Sequence, residues 1–358
     1  MNERGSVLIL CLWVFILLAL FAMSVAFRMR LATKIGGFEA HRFRQEYDFL
    51  SAVNLARFFI ESDDEPKVDH SEDEWYGVPK NFGEIDFSDR FDLEIQDEES
   101  KASLNDAPER FLIEFVKVLK RNKIEIETDT EDLVGSILAW RGQTAVRGKP
   151  TLGFKHKRAP FESVEELRLI QFISARDAQR FKPFVTVYGQ PQERIMKVNL
   201  NTVHPYILEA LILSLAGGDL PKQTLREAIE KFRSTSSPID GEEHVMSKQV
   251  FQQNDLRPQR FIRMLKLPDS VAIEQLVSQL MRHVTVDSKF FSVRVKLRSG
   301  KTASRAESRS RTLESVLGPR VFQHRWNTGD ASSLTSAKPA GRPVTVPLEI
   351  LFWREVVA

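Results

Sequence analysis

The chain has 358 residues, of which 42% are hydrophobic and 28% charged, and a net charge of +2. That length allows two or three domains, and the composition is that of a globular chain rather than a disordered or collagenous one. The near-neutral balance excludes a global attraction to nucleic acid, and a single cysteine, Cys11, excludes a disulfide framework.

The first element is the uncharged run Ser6 to Phe27, 22 residues rich in Leu and Phe and free of Pro and Gly. As a helix it spans about 33 Å at about 1.5 Å per residue. A bilayer core needs about 20 residues, so the run predicts a membrane-embedded helix. It is longer than the apolar region of an ordinary cleaved secretory signal, although Ala22-x-Ser24-x-Ala26 offers a weak cleavage pattern near its end. Arg28, Arg30 and Lys34 follow the run, and only Arg4 and the amino group precede it. Those flanks mildly favour the inverted orientation. Against them stands the leader Met1-Asn2-Glu3-Arg4-Gly5, which runs straight into the apolar helix. That arrangement resembles the class III leader of pilins and pseudopilins. The resemblance implies cleavage after Gly5 by prepilin peptidase on the cytoplasmic side, a mature chain starting at Ser6, and a retained membrane helix. Pilin-like proteins mostly carry Glu at the fifth mature position; here that position is Leu10.

Beyond the membrane run, Phe49, Val53, Ala56 and Ile60 are spaced 4, 3 and 4, one face of a helix. A helix from Ser6 to Ile60 is about 80 Å long. Gly36-Gly37 predicts a local bend or melted turn within it. Residues 61–99 hold 16 Asp and Glu against three Lys and Arg. Glu61 to Glu74 reads as a loop ending at Trp75-Tyr76-Gly77. Asp63, Asp64, Asp69, Glu72 and Asp73 are the candidate ligands for a calcium ion, which takes several carboxylate oxygens. The EF-hand pattern is absent, and a solvated acidic loop is the other open reading. From Glu84, Ile85 and Phe87, then Phe91, Leu93 and Ile95, alternate with polar residues as a pair of half-buried strands.

A weak repeat comes next. Ala102-Ser103-Leu104-Asn105-Asp106-Ala107 precedes a helix at Glu109–Lys120, and Val198-Asn199-Leu200-Asn201-Thr202-Val203 precedes one at Tyr206–Leu215. Asp106 and Thr202 are the expected N-caps, each with Pro shortly after. Between them, helices are expected at Glu131–Trp140, Val164–Ile173 and Ala175–Phe181, with Ser163 and Glu166 as a capping box.

These stretches carry a closer resemblance. Ile137-Leu138-Ala139-Trp140-Arg141, then Pro160-Phe161-Glu162-Ser163-Val164-Glu165-Glu166-Leu167, then Thr186-Val187-Tyr188-Gly189 and Val198-Asn199-Leu200-Asn201-Thr202 are similar in order and spacing to the motifs of the protein K family of type II secretion. That family typically lacks the fifth-position Glu, in keeping with Leu10. Trp140, Glu166, Asn199, Asn201 and Thr202 are the positions that match its motifs. The acidic stretch before Trp75 resembles the segment that follows the family's long helix. At Trp140-Arg141-Gly142-Gln143, relatives often have more acidic residues.

The C-terminal part returns to strands. Phe291, Val293, Val295 and Leu297 alternate with polar residues, Ser299-Gly300 turns the chain, and Thr302–Leu317 should run back. Residues 289–325 hold ten Lys and Arg against two acidic residues. Asp330–Arg342 reads as a loop, and Leu348–Trp353 as the last strand.

The resemblance implies an α+β fold, a long N-terminal helix packed on an antiparallel sheet with a large all-helical insert. Its parts are a leader at 1–5, a transmembrane helix at 6–27 continuing to about 60, a first sheet segment at 61–104, the insert at 105–285 and C-terminal strands at 286–358. It further implies a minor pseudopilin that caps the periplasmic pseudopilus and helps start its assembly. The expected partners are the I- and J-type minor pseudopilins, the major pseudopilin, prepilin peptidase and inner-membrane lipid. The soluble part would lie in the periplasm of a bacterial cell. No phosphate-binding glycine loop, H-E-x-x-H or G-x-S-x-G marks an enzyme. The alternative is a membrane-anchored helix-hairpin-helix DNA-binding protein. The Asn199-Leu200-Asn201-Thr202 stretch fits that reading, but Ala216-Gly217-Gly218-Asp219 brings an acid where phosphate would lie, so no nucleic acid is expected.

Overall fold

The computed structural model describes residues 3–78, 90–143, 157–189, 195–216, 219–239, 242–298, 312–319, 322–323, 344–345 and 348–356. The chain opens with α1, Glu3–Glu61, a single helix of 59 residues. It runs unbroken through Gly36-Gly37, contrary to the bend expected there. Each glycine costs a helix up to about 1 kcal/mol against Ala. Extending a helix already formed on both sides is cheap compared with nucleating one, so the pair is carried through.

Two halves of α1 meet different surroundings. From Leu10 to Phe27 nearly every side chain is exposed. In the last third, Phe49, Ala52, Val53, Ala56 and Ile60 are buried, which is the predicted stripe with Ala52 added. They lie on a four-stranded antiparallel sheet: β1 Phe91–Asp97, β2 Phe291–Leu297, β3 Thr312–Gly318 and β4 Glu349–Val356, in spatial order β1-β2-β3-β4. The register sets Leu93 opposite Val295 and Ile95 opposite Val293, and Val295 opposite Leu313. Phe91, Leu93 and Ile95 thus face the helix together with Val293, Val295, Leu313 and Leu317. Trp75 closes this core edge-on against Phe291, ring centroids 5.0 Å apart.

The sheet's outer face is where the acidic and basic stretches meet. Arg298 pairs with Asp92 at 2.5 Å, and Arg294 reaches Glu94 at 3.2 Å and Glu314 at 3.7 Å. The expected strands at 84–89 and the start of the return strand at 302–311 lie outside the described residues, as does the loop at 330–342.

Between β1 and β2 the chain builds a second, larger core from α2 Glu109–Arg121, α3 Thr130–Trp140, α4 Ala175–Phe181, α5 Pro205–Ser214, α6 Asp219–Ser234, α7 Pro258–Met264 and α8 Val271–Leu280. A hairpin of Ser236–Ile239 with Glu242–Lys248 is set among them. The two repeat copies have equivalent starts. Ala102-Ser103 pairs in parallel with Val185-Thr186, and Val198-Asn199 with Val284-Thr285, before each copy enters its helix. The helices α2 and α5 then pack together, with Arg121 on Glu209 at 2.9 Å.

Two local expectations are corrected. The N-caps are Pro108 and His204 rather than Asp106 and Thr202. Asp106 accepts from Ser103 Oγ instead, and Thr202 turns its hydroxyl to Asp97. Val164–Ile173 is not an α-helix: Val164–Leu169 is 3₁₀, and Phe172 takes a left-handed φ of 66°. The apolar residues Val164, Leu167, Ile170 and Ile173 recur every three positions, the period of a 3₁₀ turn rather than of an α-helix. The capping box is also altered. Ser163 Oγ accepts from Glu165 N, and Glu166 Oε1 accepts from Glu162 N rather than from the cap residue.

Candidate functional site

Two regions carry the candidate residues, the N-terminal anchor and the junction where the sheet meets the helical part. In the anchor, Gly5 and Ser6 lie within α1, which already starts at Glu3. Leu10 is 66% exposed on its surface. Among the described residues, α1 is the one helix long and apolar enough to cross a membrane.

The junction is built from distant parts of the chain. Glu61, at the end of α1, accepts from Leu348 N at 2.9 Å and so ties the helix end to the entry of β4. The loop that follows is solvated only in part, with Asp64, Glu65, Glu72 and Glu74 exposed. Val68, Asp69 and Trp75 are buried, because Trp75 and Asp69 plug the seam between the two cores. Asp69 Oδ2 accepts from Ser288 N at 2.6 Å, and its backbone N–H donates to Val286 O. Asp63 Oδ2 accepts from Trp75 Nε1 at 3.3 Å. Asp73 accepts from His70 N at 2.7 Å and faces His70 Nε2 at 2.9 Å.

Of the five candidate calcium ligands, Asp63, Asp69 and Asp73 converge, with oxygens within 4.8 Å of one another. Asp64 and Glu72 are exposed and outside that group. The three supply the hard-oxygen chemistry that calcium takes, about half of the 6–8 oxygens it needs. Each already accepts a hydrogen bond, and Asp73 would have to exchange His70 for the ion. Burial works against a charged imidazole at His70, but the hydrogen bond and charge of Asp73, with Glu72 and Asp63, prevail and raise its pKa. His70 Nε2 is therefore the partner the fold itself provides for Asp73.

Behind the loop lies a fully buried polar network. Asn199 Nδ2 donates to Asp69 O at 3.1 Å, Asp97 Oδ2 at 3.1 Å and Ser288 Oγ at 2.9 Å, and its Oδ1 accepts from Asn201 N. Asn201 exchanges a pair of hydrogen bonds with the backbone of Phe251 and donates to Asp69 O. Thr202 Oγ1 donates to Asp97. The N-x-N-T positions of the sequence thus join the repeat helix to the end of β1. Glu99 accepts from the N–H groups of Lys289 and Phe290. Burial pushes Asp97 up despite its hydrogen bonds from Thr202, Ser288, Glu99 and Asn199. Burial, and then the charge of Asp97, push Glu99 well above the ordinary range. Glu98 between them is equally buried, but Lys101 at 2.5 Å holds it below that range.

The other motif residues form a separate clamp. Trp140 Nε1 donates to Glu166 Oε2 at 2.8 Å, and Glu166 also pairs with Lys157 at 3.0 Å. Next to it Arg141 donates to the carbonyls of Leu104, Asn105 and Ala107 and to Gln143 Oε1. Gly189, the last residue of the T-V-Y-G motif, has no room for a side chain: a Cβ there would strike Asp106 Oδ2 and Ser103 Oγ. Asp97, Glu99, Ser288 and His70 match no motif. The run Asp97-Glu98-Glu99 at the end of an alternating strand was the available signal for the first two.

A long helix on an antiparallel sheet, with a helical region set between the first and second strands, defines the class: this is a pseudopilin fold. No family model and no curated protein matches the chain. Among solved structures it is similar to a chain of the GspK-GspI-GspJ complex of the enterotoxigenic Escherichia coli type 2 secretion system, at 16% identity and a TM-score of 0.56. The similarity covers 89% of this chain and 98% of that one, and the fold is GspK-like.

Proposed function

We propose that this chain is a minor pseudopilin of a type II secretion system that caps the tip of the periplasmic pseudopilus and helps start its assembly. The observation that carries the reading is the likeness, over 98% of its length, to a chain from a complex of three pseudopilins. Two features support the tip position. Leu10 offers no carboxylate to the amine of a subunit ahead. The helical region, taken as an insert over 105–285 within a sheet domain of 61–104 and 286–358, adds bulk that every repeat of a filament would have to accommodate. The leader 1–5 is removed after Gly5, leaving Ser6 as the first residue of a helix anchored in the inner membrane over 6–27. The partners are I- and J-type minor pseudopilins, met through α1, and the major pseudopilin below them.

The test is to count and locate the protein. Labelled chains should sit at one end of isolated filaments, about one per filament, and co-purify with two other minor pseudopilins. Label spread along the filament, in numbers near those of the major subunit, would show that the chain is not the tip.

A further inference from the structure

The turn Ile170–Ile173, between the 3₁₀ helix and α4, closes with Ile173 N donating to Ile170 O at 3.3 Å. Its third residue is Phe172, at a φ of 66°. A left-handed third position favours Gly or Asn, and a bulky side chain there is a steric outlier. Lys123, Arg158 and Lys266 also have left-handed φ. Lys123 and Lys266 follow the last turns of α2 and α7, the common place for it. Among the described residues Phe172 is the one apolar side chain so placed. Its backbone is held from the other side of the fold. Thr128 Oγ1 donates to Phe172 O, and the fully buried Asp177 fixes that neighbour by accepting from Glu127 N at 3.1 Å and Thr128 N at 3.4 Å. Gln171 adds a second cost, since its Oε1 is buried with no donor among the described residues.

The strained turn leaves apolar surface in water. Phe172 is 45% exposed and belongs to neither core, and Leu169, three residues earlier, is 61% exposed. Strain kept where it brings no core packing marks a contact made outside the chain. The surroundings define the partner. Arg168 and Arg176 are exposed beside these two residues in the chain. Arg176 lies 3.7 Å from Glu127, and Arg168 makes no ion pair among the described residues. A basic rim is complemented by an acidic one. Lys182, at the end of α4, is 4.0 Å from Glu314 on the outer face of the sheet, so this segment lies on the side away from α1. About 33 Å of helix also separates Phe27 from Phe49, where the sheet begins to cover α1. Both observations favour a protein over the lipid around the apolar span.

We propose that the turn at Phe172 is a docking knob for a partner protein, inserting Phe172 and Leu169 into an apolar pocket rimmed by carboxylates. The contact is separate from any that α1 makes. To test it, p-benzoylphenylalanine is placed at Leu169 of the full chain and irradiated in the cells that naturally make the protein. A protein adduct should form, mapped to an apolar segment that contains Asp or Glu. Phe172→Asn, which suits a left-handed φ, and Arg168→Glu should each cut the adduct about tenfold or more, whereas Arg168→Lys should keep it. In detergent micelles Phe172→Asn should leave the Tm of the full chain unchanged or raise it; a ring kept for packing would lower it by about 4 °C or more. No protein adduct, adducts with lipid alone, or a mapped segment without acidic residues would each overturn the proposal. So would an adduct indifferent to either Phe172→Asn or Arg168→Glu, or a Tm lowered that far by Phe172→Asn.

Discussion

Asn199 is the residue on which the junction depends most. One side-chain amide donates to three oxygens contributed by the acidic loop, the end of β1 and the segment before β2. Asn199→Ala removes one of the donors shared by the Asp69 carbonyl and Asp97, and takes from the buried Asn201 N–H its acceptor, at about 1–3 kcal/mol for a group left unsatisfied. Urea unfolding should show that loss, and a change below about 0.5 kcal/mol would place the network outside the stability of the fold. The buried carboxylates predict a pH dependence. Asp97 and Glu99 have raised pKa values in the folded chain, so that state holds more protons than the unfolded one. Their contribution is complete below the unfolded carboxylate range, about 4, and is lost as pH rises from there through the raised values. Glu98, depressed by Lys101, acts in the opposite sense, losing its contribution as pH falls. The contribution of Asp97 and Glu99 should decline from mildly acidic to neutral pH, and Glu99→Gln should flatten that part of the profile. Denaturation midpoints measured across the range check both statements.

At the scale of elements, α1 is a membrane helix at one end and a core helix at the other. A chain beginning at Arg28 keeps Phe49, Val53 and Ile60 on the sheet, whereas one beginning at Glu61 exposes Trp75, Phe91, Leu93 and Val293. Each large side chain on the lost stripe contributes roughly 1.5–3 kcal/mol when fully buried, and together they rival the stability of a whole domain. The shorter chain should aggregate or lose its cooperative unfolding, while the longer one stays folded and soluble. Equal melting temperatures for the two would refute the packing of α1 on the sheet. The strand pairs are supported differently. The Arg298–Asp92 and Arg294–Glu94 pairs lie on an exposed face, where each ion pair is worth about 0–1 kcal/mol. Their effect is to tie Arg294 and Arg298 to the acidic side chains of the neighbouring strands.

For the whole molecule, the proposed tip role is tested at the apolar end of α1. Leu10→Glu would place a carboxylate in the apolar span, at about 2.5–3.5 kcal/mol near the bilayer centre and less toward the interface. In the proposed tip position no subunit lies ahead to supply an amine, so the change should reduce secretion and filament initiation. A variant that secretes normally and distributes along filaments would count against the tip assignment.

Much of this architecture is legible in the chain without coordinates. The 22-residue uncharged run, the stripe from Phe49 to Ile60 and the alternation in Phe91–Ile95 and Phe291–Leu297 are local periodicities, and a helix or strand face needs nothing more to declare itself. The motifs around Trp140, Glu166 and Asn199 to Thr202 mark positions that the fold then joins in pairs. Only the tertiary structure decided which residues share a buried environment. Asp69, Asp97, Asn199 and Ser288 are separated by up to 219 positions, and nothing local distinguishes Asp69 and Asp97, which are fully buried, from Asp64, which is exposed. Likewise Thr202 has the chemistry of a helix cap, but Asp97 competes for it across the fold and wins, while Asp106 is taken locally by Ser103. A side-chain oxygen bonds to whichever donor or acceptor the packing brings nearest, and that depends on how the cores close rather than on sequence spacing.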